Sequence, residues 1–172
     1  MVRSALASKP MGRQALRFAD YVPAASVIAA CSLSLLPIVS SSGWWPNTGL
    51  LILIAWRMLR ADAWPSWWAA PMGFVNDLLM GTPLGLSVSL WTAIMLIMDL
   101  VDRRTQWRGY VIEWGVACLL IALAGWVEWQ VAALNGAPVP LAQVAPAVIV
   151  EMLAFPIAAW LVARIDRRRL GR

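Results

Sequence analysis

Histidine is absent from this chain of 172 residues. That removes the commonest general base and the commonest metal ligand. A zinc-protease helix and a Ser-His pair are both excluded. Charge is scarce: Asp, Glu, Lys and Arg make up 13% of the residues, against about 25% in soluble domains. Cysteine is limited to Cys31 and Cys118. Both lie in apolar runs, which reads as small core-like residues and not as a disulfide framework.

What is abundant is hydrocarbon. Hydrophobic residues make up 61% of the chain and its mean hydropathy is +0.70, where soluble domains run to roughly 45–50% apolar. A chain this apolar has too few polar residues to cover a core, so the bilayer is the better solvent. Twelve Trp against two Tyr agree, since indoles favour the headgroup level. The fold class expected is an all-α integral membrane protein, a bundle of six transmembrane helices.

Six apolar runs carry this reading: Val22–Val39, Asn47–Leu59, Trp67–Met80, Leu84–Val101, Tyr110–Leu134 and Leu141–Ile165. The last three are long enough to cross a ~30 Å core at 1.5 Å per residue. The second and third are short. They cross a locally thinned bilayer, extend through Trp44 and Trp64, or form a helical hairpin buried in protein. Residues 1–20 read as a basic tail, 21–166 as the membrane domain and 167–172 as a second basic tail.

Charge sets the orientation. All fourteen basic residues precede the first run or lie at or just beyond the C-terminal ends of the second, fourth and sixth. The alternate loops, Ser40–Pro46, Gly81–Pro83 and Asn135–Pro140, have none. Cytoplasmic loops collect Lys and Arg, so both termini are expected in the cytoplasm. The net charge of +5 and pI of about 10.2 therefore reflect membrane topology, and no nucleic-acid partner is expected. The first apolar run continues past Cys31 to Val39, which fits a membrane helix and not a cleaved signal. Residues 11–19 fit either a short amphipathic helix on anionic lipid or a solvated basic tail.

Carboxylates at membrane depth cost at least ~2.5–3.5 kcal/mol near a helix centre, so each is a functional candidate. Asp62, Asp99, Asp102 and Asp166 lie at cytoplasmic helix ends beside Arg and read as solvated partners. Glu113 and Glu128, each near a Trp, read as snorkelling to an interface. Asp77 and Glu151 remain deeper. Glu151 is expected to be protonated or hydrogen-bonded to another helix, the simplest role being that interhelical bond alone.

Ala25 and Ala29, and Ser26, Ala30 and Ser34, recur at spacing four in the first run and predict close helix packing. Pro71, Pro146 and Pro156 predict kinks. An enzyme is not expected. The only lysine, Lys9, lies outside the membrane, so a Ser-Lys dyad is absent. Asp77 and Asp99 lack the Gly-x-Gly-Asp context of intramembrane aspartyl proteases, and there is no phosphate loop. No metal site and no cofactor are expected.

The most distinctive stretch is PMGFVNDLLMGTPLGL, residues 71–86. Asn76 and Asp77 sit in an apolar run that ends in the turn Gly81-Thr82-Pro83-Leu84-Gly85. Gly73, Asp77 and Gly81 repeat at spacing four and so share a helical face. Glycine there permits close backbone approach, and Asn76 and Asp77 can bond exposed backbone of the turn. Locking a hairpin suits these residues better than chemistry does.

This stretch, with Gly73, Asp77, Gly81 and Gly85, resembles the segment that marks the rod shape-determining MreD family. The length, the hydropathy and the Trp45-Pro46-Asn47 approach to the second run agree. The resemblance implies a non-catalytic inner-membrane subunit of the bacterial cell-elongation machinery. It implies association with MreC, and through it with MreB, RodA and the elongation penicillin-binding protein. It implies a fold similar to the S components of energy-coupling-factor vitamin transporters. An alternative is a solute-binding transport subunit, for which Ala25-x-x-x-Ala29 resembles an S-component docking pattern. A structural bundle in some other complex is a third reading.

Overall fold

A computed structural model of the chain describes residues 13–33, 35, 46–60, 65–104 and 109–169. These form α1 (Arg13–Leu33), α2 (Thr48–Leu59), α3 (Ala69–Met80), α4 (Leu86–Arg104), α5 (Tyr110–Leu134) and α6 (Leu141–Arg169). A short 3-10 turn, Ser66–Trp68, leads into α3. The architecture is all-helical, with no strand among the described residues.

A helix that is apolar all round must be buried. The α2 sequence TGLLILIAWRML is of this kind, and Gly49 through Arg57 are all buried. It sits among α1, α4 and α6, while α3 packs on α4 and α5 on α6. Its 12 residues rise only ~18 Å at 1.5 Å each. Its short apolar run is thus enclosed by protein. The core around it includes Val27 and Cys31 of α1, Trp91 and Met95 of α4, Ile121 of α5 and Val162 of α6.

Helices α5 and α6 are long and apolar enough to cross a membrane, yet only 28% and 17% of their most apolar stretches are buried. The core helix of a soluble protein would be mostly covered. Leu119, Leu123 and Trp126 of α5 and Ile149, Leu153, Ile157 and Trp160 of α6 point outward instead. Contiguous apolar faces of this kind suit lipid and not water.

The C-terminal ends of α2, α4 and α6 meet in an ionic layer. Arg57, 4% exposed, pairs with Asp99, whose other oxygen accepts from the Ser66 hydroxyl, and lies 2.9 Å from Asp102. Arg60 reaches Asp166 at 2.9 Å, and Arg169 lies 3.4 Å from the same carboxylate and over the Trp56 ring. Arg57 and Asp166 are buried. Asp166 is therefore not a solvated partner, whereas Asp102 is exposed as expected and Asp99 is half-buried. Asp99 and Asp102 neutralise Arg57, which helix packing has removed from water, while Asp166 pairs with the exposed Arg60 and the half-buried Arg169.

Several other expectations are corrected. Ala25 and Ala29 are exposed and do not form the packing face of α1. The face one residue on does so: Trp56 Nε1 donates to Ser26 Oγ at 2.7 Å, and Thr48 Oγ1 donates to the Ala30 carbonyl at 2.6 Å. Pro71 is the third residue of α3, in a first turn whose N–H groups are orphans anyway, so it breaks no helical bond. Pro146 and Pro156 lie within α6, the sixth run, where the sequence placed them, and the helix continues past both. Helix α1 begins at Arg13 and α6 runs to Arg169, so each reaches into one of the basic segments. The far end of Val22–Val39, Ser34, Asp62, Trp44, Trp64 and most of Ser40–Pro46 lie outside the described residues.

Candidate functional site

The α3–α4 hairpin is built around one carboxylate. Helix α3 ends at Gly81, whose φ of 65° is left-handed. Glycine adopts that conformation without a Cβ penalty. The chain then turns through Thr82, Pro83 and a second left-handed glycine, Gly85 at φ 99°, and α4 begins. The Leu86 N–H returns to the Pro83 carbonyl at 3.1 Å. The first N–H groups of α4 have no intrahelical acceptor. Asp77 supplies one from the neighbouring helix. Its Oδ2 accepts from the Gly85 N–H at 2.8 Å and its Oδ1 from the Ser87 N–H at 2.9 Å. The Thr82 hydroxyl adds a third bond at 2.8 Å. A negative charge at a helix N-terminus is also favoured by the macrodipole.

Ser87 is where the motif converges. Asn76 Nδ2 donates to its hydroxyl at 2.9 Å. A Cβ added at Gly73 would lie 2.6 Å from its carbonyl oxygen. So Gly73 lets the two backbones touch, while Asn76 and Asp77 grip the same residue. Both side chains are 1% exposed. Gly81 plays a different part from the close approach expected of it: nothing lies within 4 Å of a Cβ placed there, and its role is the left-handed helix end.

A second polar group lies between α2, α5 and α6. Asn47 caps α2, its Oδ1 accepting from the Leu50 N–H at 3.2 Å. Its own backbone N–H donates to Glu151 Oε1 on α6. Its side chain also lines the same cavity as Glu128 of α5. Glu128 and Glu151 line one cavity of about 220 Å³. Glu128 therefore faces inward toward Glu151, not outward to an interface. Gly125, one turn before Glu128, would place a Cβ 2.6 Å from Val148 Cγ2, one turn before Glu151. Close approach at Gly125 and Val148 thus brings the two carboxylates to the same space.

Sequence reasoning singled out Gly73, Asn76, Asp77, Gly81, Pro83, Gly85 and Glu151. The first six are brought together in the hairpin, and Glu151 is held in the separate cavity. It missed Ser87, Asn47, Gly125 and Glu128. An asparagine directly before Thr48 carries an N-cap signal, and Glu128 follows Gly125 at helical spacing. No family model matches this chain, and no curated protein or solved structure matches it.

Proposed function

We propose that this chain is a multi-pass protein of the bacterial inner membrane, with six spans and both termini in the cytoplasm. In this reading it is a non-catalytic subunit of the cell-elongation machinery, of the MreD type. It binds MreC and so helps organise MreB, RodA and the elongation penicillin-binding protein. The observation that carries the reading is the use made of the motif at Gly73, Asp77, Gly81 and Gly85. The Asp77 carboxylate is spent on the Gly85 and Ser87 N–H groups and the Thr82 hydroxyl. That suits a part held in one shape for a partner better than a reacting group. The broad apolar faces of α5 and α6 offer lipid or a partner's membrane helix a surface. The ionic layer at the ends of α2, α4 and α6 lies where the basic residues gather, which supports a cytoplasmic location for those ends.

The cavity at Glu128 and Glu151 favours a second reading, a solute-binding subunit of a transporter similar to an S component. Affinity purification from the native host in mild detergent, with mass spectrometry of what co-purifies, separates the two. Recovery of MreC, with RodA or the elongation penicillin-binding protein, is expected. It should fall when Asp77 is replaced by alanine in a variant present in the membrane at normal level. Recovery of an energy-coupling transmembrane protein with its ATPases would instead establish the transport reading.

A further inference from the structure

We propose that the cavity between α2, α5 and α6 binds a small organic ammonium ion. Glu128 and Glu151 bring two carboxyl groups to one space, and none of the ion pairs among the described residues involves either. The nearest basic residue along α2 is Arg57, ten positions from Asn47, or ~15 Å at 1.5 Å per residue. Glu151 is 6% exposed. One of its oxygens takes the Asn47 N–H. The other has no hydrogen-bond partner among the described residues and is not sealed in protein, so its opening is to the cavity it lines. An ionisable group at membrane depth calls for a partner, and here a cation in the cavity supplies it.

The walls then select the kind of cation. The space, about 220 Å³, far exceeds one water, whose share of liquid volume is ~30 Å³. Hard divalent ions ask for about six oxygen ligands, and two carboxyl groups with one amide are a poor match. Among the described residues no cluster of three or more His, Cys, Asp or Glu is placed for a metal. The remaining wall includes Trp129, Val144 and Val148. Trp129 is held by its Nε1–H bond to the Val139 carbonyl at 2.8 Å. Two carboxyl groups together with indole and valine suit an ammonium head bearing hydrocarbon, which indole also attracts through its π system.

The test is equilibrium binding to the full chain purified in detergent, with choline, tetramethylammonium and putrescine as probes and sodium chloride at matched ionic strength. Saturable binding of at least one ammonium probe is expected. It should weaken at least tenfold in both Glu128→Gln and Glu151→Gln, with unchanged melting curves. Glu128 receives no backbone bond from α2, so Glu128→Gln alone decides the matter if Glu151→Gln fails to fold. Absence of binding by all three probes would overturn the proposal. So would equal binding of sodium, or ammonium binding unaffected by Glu128→Gln.

Discussion

At the scale of single residues, Asp77 and Gly73 do different work in one hairpin. Replacing Asp77 with alanine leaves the buried Ser87 N–H and the half-buried Gly85 N–H without an acceptor. The expected cost is about 3 kcal/mol, or roughly 6–12 °C in Tm for a chain of this size. An asparagine side chain at this position would keep one acceptor, so Asp77→Asn should lose about half as much. Thermal unfolding of the two variants in the same detergent checks the order. If Asp77→Asn and Asp77→Ala melt alike, acceptance by the carboxylate is not what holds the turn. Gly73→Ala forces a methyl against the Ser87 carbonyl, and overpacking of that kind costs about 1–3 kcal/mol. Gly81→Ala meets open space and carries only left-handed strain, about 1 kcal/mol. Denaturant unfolding should therefore rank Gly73→Ala as the more damaging change.

At the scale of elements, the short buried α2 organises the bundle through its two ends. Its N-terminus meets Glu151 through Asn47, and its C-terminus holds Arg57 and Arg60 in the ionic layer. Removing one partner of a buried ion pair leaves the other charge uncompensated. Arg57→Met should cost about 3 kcal/mol, near the low end for buried pairs because Asp99 and Asp102 are partly exposed. The double variant Arg57→Met with Asp99→Asn should recover part of that loss. A double-mutant cycle on melting temperature measures the coupling, and simple additivity would show that the two groups stand alone.

At the scale of the whole molecule, the distribution of basic residues makes a topological prediction. Fluorescent-protein fusions at both the N- and C-terminus should be bright, and alkaline phosphatase inserted in the loop 135–140 should be active. Dark terminal fusions with an inactive loop insertion would reverse the orientation. The chain should also resist extraction by alkaline carbonate, as its exposed apolar helices require.

Much of this was legible because hydrophobic runs and glycine punctuation are local. The run Tyr110–Leu134 is α5 to the residue, and the run from Asn47 gives α2 with Asn47 as its cap. The hairpin of residues 73–85 could also be read, since a carboxylate one turn before a Gly-Thr-Pro-Leu-Gly stretch lies within reach of that turn. Pairings between distant segments were another matter. Ala25/Ala29 and Ser26/Ala30 have the same spacing, and only the position of α2 decides which pair is covered. Glu128 and Asp166 look like exposed acids near helix ends until α6 and α2 are laid beside them.

Composition and local pattern are enough to make this chain helical, to place most of its apolar helices, and to show that its basic residues segregate between alternate connections. Each of these depends on composition and on neighbours within a few residues. The tertiary structure decided which helix is central, which arginines lose contact with water, and that Glu128 and Glu151 share one cavity. Those outcomes depend on contacts such as Asn47 with Glu151, 104 positions apart in the chain. No local periodicity encodes such a contact, because it exists only once helix packing has chosen which faces meet.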